Sequence, residues 1–221
     1  MRRFAVIMAG GSGERFWPAS RRARPKQLLR LTDPVLSMIE EAIERIAPLI
    51  PREQILIATS ELLAQPIADA LPTLPRENIL AEPEKRNTAA CLALAAAHLE
   101  QRHGDPDDMV MAVLTADHQI GEPDRFRATV ARALDFAATE DALVTIGVPP
   151  TRPETGYGYI EVAPQKPGAT VADKGAPLPV LRFREKPSEA IARSATSSSA
   201  MCLARPRSRV ETRQKNMPLF Q

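Results

Sequence analysis

With 221 residues, 44% of them hydrophobic and 25% charged, the chain is long enough for one α/β domain with a sizeable core and has the composition of a soluble globular protein. No apolar run approaches the roughly 20 residues that cross a bilayer, the stretch after Met1-Arg2-Arg3 is too short for a signal-peptide core, and Cys91 and Cys202 make neither a disulfide framework nor a zinc site. A cytoplasmic location with no membrane partner is therefore expected. The net charge of +2 resolves into −2 over residues 1–193 and +4 over residues 194–221, so the main body offers no basic surface for nucleic acid.

In chain order, Phe4-Ala5-Val6-Ile7-Met8 reads as a first strand. Ser37 with Glu40 three positions on forms a capping box, and Ile39, Ala42, Ile43, Ile46 and Ala47 recur at helical spacing behind it. A strand over 54–58, a helix over 60–71 and a short strand over 78–81 come next. Asn87 or Thr88 caps an alanine-rich helix that reaches about Arg102. The continuous apolar run Met109 to Leu114 is expected to be a central strand covered on both faces. Phe126, Val130, Ala133, Leu134 and Ala137 give the next helix its stripe, and residues 143–148 the next strand. Thereafter the texture is antiparallel, with strands over 157–162 and 180–185. The alternation of strand and helix predicts βαβ units on a mainly parallel sheet. Residues 194–221 carry neither a strand alternation nor a sustained helical stripe, and are expected to form a divergent, poorly ordered tail after a domain over 1–193.

In open α/β sheets, ligands lie outside the carboxyl ends of the strands, and three post-strand segments carry unusual residues. After the first strand, Ala9-Gly10-Gly11-Ser12-Gly13 leads to Arg15 and then to Pro25-Lys26-Gln27. The glycines let the backbone approach a phosphate and present N–H groups to it, while Arg15 and Lys26 add full charges. The spacing is neither a Walker loop nor a dinucleotide fingerprint. After the apolar run 109–114 comes Thr115-Ala116-Asp117-His118, which places a carboxylate where a divalent cation can be held against phosphates. In the antiparallel part, Gly158 permits close backbone approach and Glu185-Lys186-Pro187 pairs an acceptor with a cation, as a sugar phosphate requires.

Each feature also has a plain reading. A glycine turn after a strand is often only a tight connection, and the appended cations argue against that here. Asp117 alone reads equally as a helix cap, His118 as a hydrogen-bonding neighbour, and Glu185-Lys186 as a surface pair. The long alanine helix is mostly packing, with ligand contact confined to the free N–H groups of its first turn. Cys91 reads as a buried, idle thiol.

Taken together, AGGSGERFWPASRRARPKQ, AEPEKRNTAA, LTADHQI, GYGYIE and FREKPS resemble the sugar-1-phosphate nucleotidyltransferases, and within them the mannose-1-phosphate guanylyltransferase (GDP-mannose pyrophosphorylase) branch. The resemblance spans about residues 4–193. It implies a Rossmann-like, glycosyltransferase-A-like α/β fold: a mixed, mainly parallel sheet flanked by helices. It also implies GTP and mannose 1-phosphate as substrates, Mg²⁺ as cofactor, and GDP-mannose and pyrophosphate as products. On that analogy Ala9, Gly10, Gly11, Gly13 and the loop to Arg15 hold the triphosphate, Arg15 and Lys26 are catalytic, and Asp117 binds the metal. Glu82, Asn87 and Thr88 line the guanine and ribose pocket, and Gly158, Glu185 and Lys186 hold the sugar and its phosphate. Assembly into a homo-oligomer is a further expectation.

The resemblance stops near Arg193. Where the family carries Trp-Asn-Ser-Gly-Met-Phe, this sequence reads Ser197-Ser198-Ser199-Ala200-Met201-Cys202, and the family's second metal-binding aspartate is not matched. The expectation is a C-terminally truncated domain, through a shifted reading frame or an early stop, with impaired activity. The alternatives are a non-catalytic nucleotide-binding remnant and a nucleotidyltransferase for another hexose 1-phosphate.

Overall fold

The computed structural model describes residues 1–11, 16–21, 25–84, 87–140, 142–163, 177–185, 187–196, 201–204 and 218–220. The chain divides into two compact units, Met1–Arg127 and Ala128–Gln221.

The first unit is built on four parallel strands, β1 (Arg2–Met8), β2 (Ile55–Ser60), β3 (Ile79–Glu82) and β4 (Met109–Thr115), in the order β3-β2-β1-β4. Three helices supply its crossovers: α1 (Met38–Ile46), α2 (Glu61–Ala70) and α3 (Asn87–His103). Side chains alternate across a strand, so Phe4 and Val6 face one way. They meet Leu56, Ala58 and Leu80 and the α3 residues Cys91, Ala95 and Leu99 in one buried cluster. Ala5 and Ile7, also fully enclosed, point to the opposite face, and α1, in contact with β1, buries Ile39, Ala42, Ile43 and Ile46.

Local chemistry sets the ends of these helices. The capping box at α1 is complete: the Ser37 side chain accepts from the Glu40 backbone, and Glu40 Oε2 accepts from the Ser37 N–H at 2.8 Å. Helix α3 opens on Asn87 at φ 63°, a left-handed conformation that asparagine tolerates. It closes on Gly104 at φ 86°, whose N–H donates to the Glu100 carbonyl.

One expectation is corrected here. The run Met109–Leu114 is not a central strand enclosed on both faces: among the described residues β4 pairs with β1 alone and is the outer strand of this sheet, and all seven of its residues are half-buried. An apolar run reports hydrophobicity, whereas the place of a strand in the sheet is set by the route of its crossover.

The chain passes into the second unit within α4 (Pro123–Thr139). That unit holds β5 (Thr145–Ile146), β6 (Gly158–Val162), β7 (Leu178–Arg184), α5 (Glu189–Thr196), β8 (Met201–Ala204) and β9 (Pro218–Phe220), the strands forming one sheet in the order β5-β9-β7-β6-β8. The β6/β7, β6/β8 and β7/β9 pairs are antiparallel and β5/β9 is parallel. Ile160 and Val162 are fully buried with Leu178 and Val180 packed on them. The strand expected over 143–148 is shorter, Thr145–Ile146. Strands β8 and β9 come from within residues 194–221. Among the described residues no helix is long and apolar enough to cross a membrane.

Candidate active site

The strand order reverses between β1 and β4, because β1 pairs with β2 on one side and β4 on the other. Such a switch point leaves a crevice outside the carboxyl ends of the two strands, where ligands of open α/β sheets bind. The register aligns Met8 with Thr115, so both strands end at one level. The segments beyond the two ends are therefore brought together: Ala9-Gly10-Gly11 after β1 and Asp117 after β4.

Lys26 joins them from a one-turn 3-10 helix, Lys26–Leu28. Its Nζ donates to Asp117 Oδ2 at 2.9 Å, with the two side chains only 12% and 14% exposed. The ammonium also lies 5.7 Å from the centre of the Phe16 ring, within cation–π range. A carbon added at Gly11 would stand 3.2 Å from Lys26 Cε and 3.3 Å from its Nζ. At Gly10 it would stand 3.1 Å from Glu82 Oε2. Both glycines are closely approached, Gly11 by the flexible end of the lysine and Gly10 by the glutamate that ends β3, so a side chain at either would press its neighbour back by a few tenths of an ångström.

Burial pushes the Glu82 carboxyl above its usual range, and a hydrogen bond from Cys91 pulls it partly back. The Cys91 thiol is pushed up to about 11, by burial first and then by the charge and hydrogen bond of Glu82. Cys91 is buried and unbridged, the inert thiol expected of it.

Of the residues singled out in the sequence, Ala9, Gly10, Gly11, Lys26, Glu82 and Asp117 converge at this crevice. Asn87 and Thr88 form the first turn of α3, just beyond β3. Gly13, Arg15 and Lys186 lie outside the described residues. In the second unit, the β6/β7 register pairs Tyr159 with Arg184, which sets Gly158 and Glu185 at the same end of that hairpin; Gly158 begins β6 and Glu185 lies just past β7.

Two contributors carried no role in the sequence reading. Gln27, 1% exposed, donates its Nε2 to the carbonyl oxygens of Ala9 and, at 2.9 Å, Gly11. Thr59, fully buried near the end of β2, donates Oγ1 to the same Ala9 carbonyl at 3.2 Å. Gln27 adjoins Lys26 in the motif and Thr59 sits at a strand end, so position was the available signal for both.

As to a metal, no group of three or more His, Cys, Asp or Glu side chains is gathered among the described residues. The crevice offers two carboxylates, Asp117 against Lys26 and Glu82 against Gly10. That donor set fits Mg²⁺, which usually takes one or two protein carboxylates and completes its shell with water and substrate phosphates.

The nucleotidyl transferase family model matches residues 4–204, and the chain belongs to that family. It is 44% identical over 185 residues to mannose-1-phosphate guanylyltransferase of Escherichia coli, across 82% of this chain and 37% of the relative. It is 42% identical over 186 residues to mannose-1-phosphate guanylyltransferase ManC of Salmonella typhimurium, across 83% of this chain and 37% of the relative. Among solved structures, mannose-1-phosphate geranyltransferase from Thermus thermophilus superposes with a TM-score of 0.74 at 36% identity, covering 92% of this chain and 55% of that one. The chain thus spans less than two fifths of the length of these two curated relatives. The expected α/β fold is that of these neighbours, with a parallel four-stranded sheet flanked by helices.

Proposed function

We propose that the chain belongs to an enzyme that transfers a guanylyl group from GTP to mannose 1-phosphate. A phosphate oxygen of mannose 1-phosphate attacks the α-phosphorus of GTP, forming a new P–O bond. The bond from the α-phosphorus to the oxygen it shares with the β-phosphorus breaks, its electron pair stays on that oxygen, and pyrophosphate leaves with GDP-mannose as product. The nucleophile is already ionised, so positioning and charge neutralisation suffice and no general base is needed.

The observation that carries this reading is the meeting of Lys26 and Asp117 beside Gly10 and Gly11 at the switch point. Gly10 and Gly11, with Ala9, Gly13 and Arg15, are assigned to the triphosphate, and Lys26 to the charge that develops at the transferring phosphoryl group. Asp117 would hold Mg²⁺, which when bound supplies further charge neutralisation at the phosphates. Glu82, Asn87 and Thr88 are assigned to the nucleoside, and Gly158, Glu185 and Lys186 to the sugar phosphate, within a nucleotidyltransferase domain over 1–193. Small-molecule substrates, a cytoplasmic setting, homo-oligomeric assembly and no nucleic-acid or membrane partner complete the reading. Its support is the named activity of relatives that are 42–44% identical.

The test is pyrophosphate release from GTP and mannose 1-phosphate with Mg²⁺. Release is expected, and Lys26→Ala should lower turnover at least about 100-fold, the scale of removing one preorganised donor to the transition state. GTP binding without release would leave a nucleotide-binding protein. Faster turnover of another hexose 1-phosphate would move the substrate assignment.

A further inference from the structure

We infer that Gln27 is the positioning residue of this crevice, the group that orients the glycine loop and seats Lys26 against it; this rests on the nucleotide site proposed above. The residue is 1% exposed, and its amide spends both N–H groups on main-chain carbonyls, those of Ala9 and Gly11. Its Oε1 is buried and accepts nothing among the described residues. Turning the amide over would press that oxygen against two carbonyl oxygens, so the two acceptors fix its orientation.

The clamp acts on both the loop and the lysine. Among the described residues only Trp17–Pro18 is a cis peptide, so the Ala9–Gly10 peptide is trans and its C=O and N–H point in opposite directions. Tying the Ala9 carbonyl to Gln27 and Thr59 turns the Gly10 N–H away from them, free to serve an anionic ligand. Gln27 is also the chain neighbour of Lys26 within one 3-10 turn. Anchoring the turn to Ala9 and Gly11 sets the distance at which the lysine lies over Gly11 and meets Asp117. Lys26 supplies the charge, and Gln27 determines where that charge stands.

The test compares the unaltered chain with Gln27→Met and Gln27→Glu, which keep the side-chain length and remove the amide donors. The first readout needs no ligand: the rate at which acetic anhydride labels Lys26, resolved by mass spectrometry against the other lysines. It is expected to rise about tenfold in both variants, the equivalent of removing two ordinary hydrogen bonds. The second is affinity for GTP against guanosine. GTP should weaken by about tenfold while guanosine is unmoved, a split that general loosening of the fold would not give. No GTP binding by the unaltered chain would refute the nucleotide reading and leave Lys26 labelling to decide the role of Gln27. Unchanged labelling in a folded variant, or equal loss of GTP and guanosine affinity, overturns the inference. Failure of both variants to fold does so as well, since Gln27 would then be holding the unit rather than the loop.

Discussion

Lys26 and Asp117 stand 91 positions apart in sequence and 2.9 Å apart in space. Neither strand end alone creates the pair: it needs β1 and β4 adjacent and level, as the Met8–Thr115 register makes them. With side chains 12% and 14% exposed, the pair is screened less than a surface ion pair, and breaking it leaves a partly buried charge. A double-mutant cycle with Lys26→Met and Asp117→Asn, read by urea unfolding, is expected to give a coupling of about 1–3 kcal/mol. A coupling near zero would show that the two are not held together in solution.

Gly11→Ala should act on chemistry more than on stability. The added carbon would lie 3.2 Å from Lys26 Cε and 3.3 Å from Nζ, so the flexible lysine end must yield by a few tenths of an ångström. Displacement on that scale at a reacting centre is expected to lower pyrophosphate release at least about tenfold, with little change in melting temperature. Gly121→Ala, where an added carbon meets nothing within 4 Å, is the control and should match the unaltered chain in both assays.

Glu82 gives a pH-dependent prediction. Its carboxyl is raised by burial, so the folded chain holds that proton more tightly than the unfolded one. The stabilisation is fully present below the ordinary value of 4.5 and is lost as pH rises through the raised folded value. Glu82→Gln, neutral throughout, should therefore unfold at higher denaturant than the unaltered chain at pH 7, and that advantage should shrink as pH falls toward 4.5. An advantage of equal size at both ends would show that burial of the charge is not what separates the two proteins.

Cys91 should resist alkylation. With its thiol pushed up to about 11 against roughly 8.5 for a free cysteine, the thiolate fraction at pH 8 falls by about two orders of magnitude before the reagent's restricted access is counted. Iodoacetamide should modify Cys91 at least about 100-fold more slowly in the native chain than in urea, as tracked by peptide mass spectrometry. Comparable rates in the two conditions would contradict the burial of this thiol between α3 and the sheet.

Much of this architecture is local and therefore legible in the residues. The Ser37/Glu40 box forms within four positions, β1 is an apolar run ended by glycines, and α3 runs from Asn87 to a glycine just past His103; each is governed by hydrogen bonds and periods that span a few residues. The glycine loop and the cations after it pointed to phosphate chemistry on the same footing. Tertiary structure alone decided that β4 lies outermost, that β8 and β9 join the second sheet, that Lys26 is paired with Asp117, and that Gln27 holds the carbonyls of Ala9 and Gly11. The reason is physical: which strands lie side by side and level depends on how crossovers cover both faces of a sheet, a cooperative property of the whole unit. No short window of sequence contains it.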